Sequence, residues 1–178
     1  MTANTTHLLC YSLSLKHEHY LFAALAVLSL HDSMEYQVYQ VEESEKDSLA
    51  HLRIAAMRES LTAIDRFDPV RARKRFLDSF DIKATRKIEI NGRLVGFYVV
   101  KNKKDHCHLE HLYIHPEYQG NKVGSSILQS IISVAQENSV ALRLGALRGS
   151  RANEFYLSHG FVKVGESEWD IYYEYRDG

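Results

Sequence analysis

The sequence predicts an α/β fold built on a mixed sheet with helices on both faces. Three observations carry that expectation. Strand-like and helix-like patterns follow one another in the order β-α-α-β-β-β-α-β-α-β-β, too interleaved for separate all-α and all-β units. Asn91-Gly92 sits between two strand-like runs, the strongest short hairpin signal, because both central turn residues must accept positive φ. Finally, the apolar run at 140–144 directly follows an amphipathic helical stretch, the mark of a central strand.

Each element has its own signal. Residues 35–41 alternate Tyr36, Val38 and Gln40 against Gln37, Tyr39 and Val41, a strand. Ser44 with Asp47 three residues on resembles a capping box, opening a helix with Leu49, Leu52, Ala56 and Ala63 on one face. Asp68-Pro69 puts a capping side chain before a proline at the first helical position, so a second helix runs to about Phe80. Strands at 86–90 and 93–100 flank the Asn-Gly turn, and after a polar loop a third strand spans 106–114. A helix over 120–138 carries Val123, Ile127, Ile131 and Ala135 in one stripe. The strand at 140–144, a short helix at 151–159 closed by Gly160, and strands at 161–164 and 169–175 complete the order.

Composition narrows the class. The chain has 178 residues and a net charge of −1, from 22 Lys+Arg against 23 Asp+Glu. That length suits one domain able to bury roughly two-thirds of its unfolded surface. A near-neutral chain lacks the basic footprint that neutralises nucleic-acid phosphates, so no nucleic-acid partner is expected. Two cysteines, Cys10 and Cys107, cannot build a disulfide framework, and a reducing, cytoplasmic setting is expected. Residues 20–30 are apolar but too few to span a bilayer, so stable membrane insertion is not expected. We read residues 1–33 as an N-terminal extension of uncertain role and 34–178 as the domain.

The chemistry-bearing segment is LEHLYIHPEYQGNKVGSSIL, residues 109–128. A strand ends at His115-Pro116 and a helix begins among Gly120, Lys122 and Gly124. Helix N-termini offer unpaired N–H groups and a positive dipole end, which suit phosphate oxygens, and small residues let the main chain approach them. The same glycines would also serve a plain strand-to-helix turn. Neither G-x-x-x-x-G-K-[ST] nor G-x-G-x-x-G is present, which removes most support for a nucleotide triphosphatase or a dinucleotide dehydrogenase. His106, Cys107, His108, Glu110 and His111 crowd six residues, but alternation puts only His106, His108 and Glu110 on one face, so no metal is expected.

Gln119 to Gly124 resembles motif A of the GCN5-related N-acetyltransferase (GNAT) superfamily, Q/R-x-x-G-x-G/A after a strand ending near His-Pro. Lys122 stands where the motif has its middle glycine. ANEFYLSHGF, residues 152–161, resembles motif B, with Gly149 where an asparagine is frequent. The resemblance implies a mostly antiparallel central sheet, splayed where 106–114 parts from 140–144. It implies acetyl-CoA as co-substrate, held by main-chain groups of Leu112, Tyr113 and Ile114 and by Gln119, Gly120, Asn121, Lys122, Val123, Gly124 and Ser125. Asn153, one turn before Tyr156, would line the same channel.

It further implies transfer of acetyl to an amine, with Glu110 as first candidate base, His108 as second, and Tyr156 as the acid that meets the departing thiolate. Strand alternation puts His106, His108 and Glu110 on one face with Leu112 and Ile114, while Cys107, His111 and Tyr113 face away. The acceptor, a small-molecule or peptide amine, is left open, as is the choice between monomer and homodimer. A catalytically silent acyl-CoA sensor is the alternative reading, prompted by Lys122 and Gly149.

Overall fold

The computed structural model describes residues 35–176. The elements are β1 (Gln37–Gln40), α1 (Lys46–Thr62), α2 (Pro69–Asp78), β2 (Thr85–Ile90), β3 (Arg93–Asn102), β4 (His106–Ile114), α3 (Val123–Glu137), β5 (Ala141–Leu147), α4 (Ala152–Ser158), β6 (Val162–Glu166) and β7 (Asp170–Tyr175). Short 3-10 turns precede α1 and follow β4. The predicted order is the observed one. The apolar run at 20–30 and the proposed extension lie outside the described residues. Among those residues no helix is long and apolar enough to cross a membrane.

The seven strands form one sheet in the order β1-β2-β3-β4-β5-β7-β6. Only the β4–β5 pair is parallel; all other neighbours are antiparallel. The fold class is as expected: a mixed, mostly antiparallel sheet between two helical layers. One layer is α3 and α4, whose Val123, Ile127, Leu128, Ile131 and Tyr156 pack on Ile88, Leu109, Leu142 and Leu144. The other is α1 and α2, where Leu49, Leu52 and Phe76 close over Phe97 and Val99.

Local chemistry explains most boundaries. Asp68 caps α2 through its carboxylate, which accepts from Arg71 N–H at 2.9 Å, with Pro69 at the first position as predicted. The start of α1 differs from expectation. The capping box forms one step earlier, on the 3-10 turn that leads into the helix, where the Glu45 carboxylate accepts from Glu42 N–H at 2.8 Å and binds Lys87 Nζ at 2.6 Å; no side chain, Ser44 and Asp47 included, caps α1 itself. The third helix begins at Val123 and not Gly120, because Gly120 (φ 80°) and Lys122 (φ 61°) are left-handed and hold 119–122 as a loop.

Two features of the sheet position the site. Pairing of β4 with β5 stops at Leu109 opposite Leu144, and the rest of β5, through Leu147, pairs only with β7. In β4, Leu109 faces Val100 and His111 faces Val99, so Glu110 is an extra residue, a bulge. A bulge bends its strand and increases twist, which carries β4 away from β5. Gly96 keeps β3 tight against the far half of β4. A Cβ there would lie 2.7 Å from both Tyr113 O and Ile114 Cδ1. Gly96→Ala therefore destabilises by about 1–3 kcal/mol, since the backbone oxygen cannot give way; a lower urea midpoint at unchanged m-value is the expected reading.

Candidate active site

The separation of β4 from β5 opens a cavity of about 500 Å³ that runs through the sheet. Ala56, Met57, Glu59 and Ser60 of α1 line one side, and Tyr118 to Gly120 with Lys122 to Ser125 line the side of α3. Between them lie residues 109–114 of β4, residues 145–147 of β5, and Phe155 and Tyr156 of α4.

The bulge at Glu110 changes which side chains share a face, and the expected alternation fails there. Before it, Cys107 and Leu109 pack toward α3, while His108 lies opposite Lys101 on the other face. After it, Leu112 and Ile114 belong to the α3 side and His111 and Tyr113 to the α1 side. Glu110 binds Lys101 Nζ at 2.5 Å and so stands with His108, His111 and Tyr113, not with Leu112 and Ile114. One inserted residue shifts the period-two register, which strand periodicity alone cannot show.

On the gap side β4 offers free main chain. His115 N–H donates to Val95 O at 2.7 Å, toward β3. Amides alternate sides along a strand, so the N–H groups of Ile114 and Leu112 turn to the gap, where β5 no longer meets them. Gln119 Nε2 donates to Ile114 O at 2.9 Å, and its own N–H bonds Pro116 O at 3.2 Å. Gln119 thus braces the loop through both its side chain and its main-chain N–H. The first amide bond within α3 is Ser126 N–H to Lys122 O, and no side chain caps the helix. The N–H groups at the start of α3 therefore have no partner from within the helix.

Tyr156 is 7% exposed and packs on Phe155, Phe161 and Tyr173. Its hydroxyl has no hydrogen-bond partner among the described residues. Burial, with Tyr113 as a second cause, raises its pKa well above the usual tyrosine value. Tyr113 is also raised by burial, and its hydroxyl meets Met57 Sδ at 3.2 Å. Asn153 does not line the cavity. Its amide donates to Leu147 O and Ser150 O, both at 2.8 Å, and accepts from Tyr173 hydroxyl at 3.0 Å, tying α4 to β5 and β7.

His108 is also outside the lining residues, with its pKa lowered chiefly by burial. His111 is inside them, a residue the strand pattern had turned away. It packs on Phe76, Phe97 and Tyr113, and its Nδ1 is buried without a partner. Burial, then the neighbouring Arg53 charge, lowers its pKa from 6.5 to about 4. The unfolded chain therefore binds the extra proton first as pH falls, and the native state loses stability from about pH 6.5 down to about pH 4. His111→Gln is expected to flatten that part of the profile, measured as urea midpoints at pH 7 and pH 5. Among the described residues, no group of three or more His, Cys, Asp or Glu is arranged to hold a metal ion.

Residues 86–163 match the family model of the acetyltransferase (GNAT) domain. The chain carries a GNAT domain. Solved structures agree on the fold. A PaiA N-acetyltransferase from Thermoplasma acidophilum, solved with coenzyme A, superposes at a TM-score of 0.69 and 16% identity, covering 81% of this chain and 100% of that one. The ribosomal-protein-S18-alanine N-acetyltransferase of Escherichia coli gives 0.62 at 17% identity, covering 80% and 94%. An acetyltransferase from Thermus thermophilus gives 0.63 at 13%, covering 82% and 99%. At these identities the likeness is one of fold. No curated protein sequence matches the chain. Within the GNAT domain of this chain, the bulged β4 and the open gap beside it are the features that set the site apart from an ordinary parallel pair.

Proposed function

We propose that this protein transfers an acetyl group from acetyl-CoA directly to a primary amine within a ternary complex. The observation that carries this reading is the through-sheet cavity between β4 and β5, bordered by free main-chain donors and by the uncapped start of α3. A thin, extended acyl donor fits such a gap. Its pyrophosphate would meet the amides between Gly120 and Ser125, with the Lys122 charge adding attraction. Asn121 and Val123 complete that loop. Its arm would run along Leu112, Tyr113 and Ile114, and Leu112 N–H would favour the charge that builds on the carbonyl oxygen.

In the reaction the amine nitrogen bonds the acetyl carbon as the carbon–sulfur bond breaks. The amine proton leaves through water to Glu110, and Tyr156 delivers its proton to the thiolate and regains one from solvent. Burial raises the pKa of the Tyr156 phenol and keeps it protonated at neutral pH, so it gives up its proton only to a thiolate that the same burial makes more basic. Glu110 lines the cavity and His108 does not, which favours Glu110 as the base. Cys107 packs on the α3 side, and burial raises its thiol pKa, so nothing there favours an acyl-enzyme.

The test is thiol release from acetyl-CoA across amines, amino acids and peptides, beside calorimetry of acetyl-CoA alone. Amine-dependent release is expected. Tight binding without release from any acceptor would favour a silent acyl-CoA sensor, and no binding would leave the resemblance one of fold.

A further inference from the structure

Resting on that reading, we propose that the acceptor is a small amine that also carries a carboxylate, of the free amino acid class. Arg151 selects it, and Glu59 positions Arg151. Few charged side chains line the cavity. Lys122 stands on the α3 side, Glu110 is paired with Lys101, and burial keeps His111 neutral. That leaves Glu59 from α1 and Arg151 from the start of α4, joined at 2.9 Å. Their side chains are 74% and 85% exposed, so the contact adds little to the stability of the fold. An ionic ligand can join or replace it at low cost.

Arg151 uses only Nη2 on Glu59, and its other N–H donors have no partner among the described residues. Among the described residues no other arginine lines the cavity, and those on neighbouring elements have contacts of their own. Arg66 lies 4.0 Å over the Trp169 ring and Arg58 lies 4.7 Å over Phe67. Arg148 donates to Ser167 O at 2.7 Å; Arg53 gives Nη1 to Ala72 O at 3.3 Å, and its buried Nε has no partner. Arg151 is thus the lining guanidinium with a free fork, held in direction by Glu59, and a fork of this kind matches a carboxylate.

Reactivity decides between the two charges of the pair. An acceptor held as an ammonium by Glu59 would be stabilised in its protonated form, which cannot attack the thioester. An acceptor held by its carboxylate on Arg151 keeps its amine free to lose a proton. A free amino acid fits beside the acyl end of the donor in a cavity of about 500 Å³.

The experiment compares matched pairs at saturating acetyl-CoA: L-alanine with ethylamine, L-phenylalanine with phenethylamine, and L-lysine with cadaverine. Wild type should favour the amino acid of each pair in kcat/KM by about threefold to tenfold, since a guanidinium this exposed is worth less on a carboxylate than a buried one. Arg151→Gln should raise the amino acid KM by about the same factor with kcat nearly unchanged. It should leave the decarboxylated amines and the KM for acetyl-CoA where they were. Arg151→Lys should recover part of the loss, and Glu59→Gln should raise the same KM by less.

A wild-type preference for the decarboxylated amines overturns the proposal. So does an Arg151→Gln effect that is equal within each pair, or one that falls on acetyl-CoA. Should no amine turn over at all, the acetyl-transfer reading fails first. Calorimetry of L-alanine against ethylamine on protein saturated with coenzyme A then decides separately. Carboxylate-dependent heat lost in Arg151→Gln sustains the site, and its absence removes it.

Discussion

Tyr156→Phe is expected to lower kcat by about 100-fold or more, the lower end of what one positioned acid supplies, while acetyl-CoA affinity stays unchanged. The change removes one oxygen and keeps the ring. Packing against Phe155, Phe161 and Tyr173 is therefore preserved, and the fold should tolerate it. The hydroxyl has no protein partner among the described residues, so no hydrogen-bond network is broken by its loss. A buried phenol with an open hydroxyl at a cavity wall is costly to keep unless something binds there. Calorimetry of acetyl-CoA and steady-state kinetics of the variant separate the two effects. A weakened acetyl-CoA affinity at normal kcat would instead make Tyr156 a wall of the binding channel.

Much of this architecture was legible in the sequence, because it depends on signals that act locally. Asn91-Gly92 needs no distant partner to form its turn, and Asp68-Pro69 likewise carries its own cap and first helical residue. The stripe of α3 is a face that only a buried layer can satisfy. The turn from β4 into α3 was readable from its small residues, although the helix starts at Val123 and not at the expected Gly120.

The unreadable parts depend on contacts between distant residues. The bulge at Glu110 is set by the pairing of β4 with β3, and no residue of His106-Cys107-His108-Leu109-Glu110-His111 announces where the extra one lies. Strict alternation therefore turned His111 away from the cavity that it lines, and placed Glu110 with Leu112. Asn153 was misplaced for a related reason. A polar residue one turn before Tyr156 looks like channel lining on the helix alone, but its three partners come from β5, the following turn and β7. Arg151 carries no signal in the sequence, because its partner Glu59 lies 92 residues away.

The same bulge makes the second large effect predictable. Glu110→Gln should lower kcat/KM by about 100-fold or more, whereas His108→Gln should change it by no more than a few-fold. An ordinary alkylamine, with pKa about 10.4, is almost wholly protonated at neutral pH, so removing its proton is a large part of the barrier. The group that takes it must reach the cavity. Glu110 does, because the extra residue at the bulge leaves it on the face of His111 and Tyr113, and Lys101 fixes it there at 2.5 Å. His108 stands on the same face but before the strands part, where β4 still pairs with β5 at Arg143. Gln keeps the shape of Glu and its bond to a lysine ammonium, so the fold should survive and the lost rate report proton transfer. A large loss in His108→Gln beside a near-normal Glu110→Gln would move the base two residues back along β4. The bulge would then matter only for opening the gap.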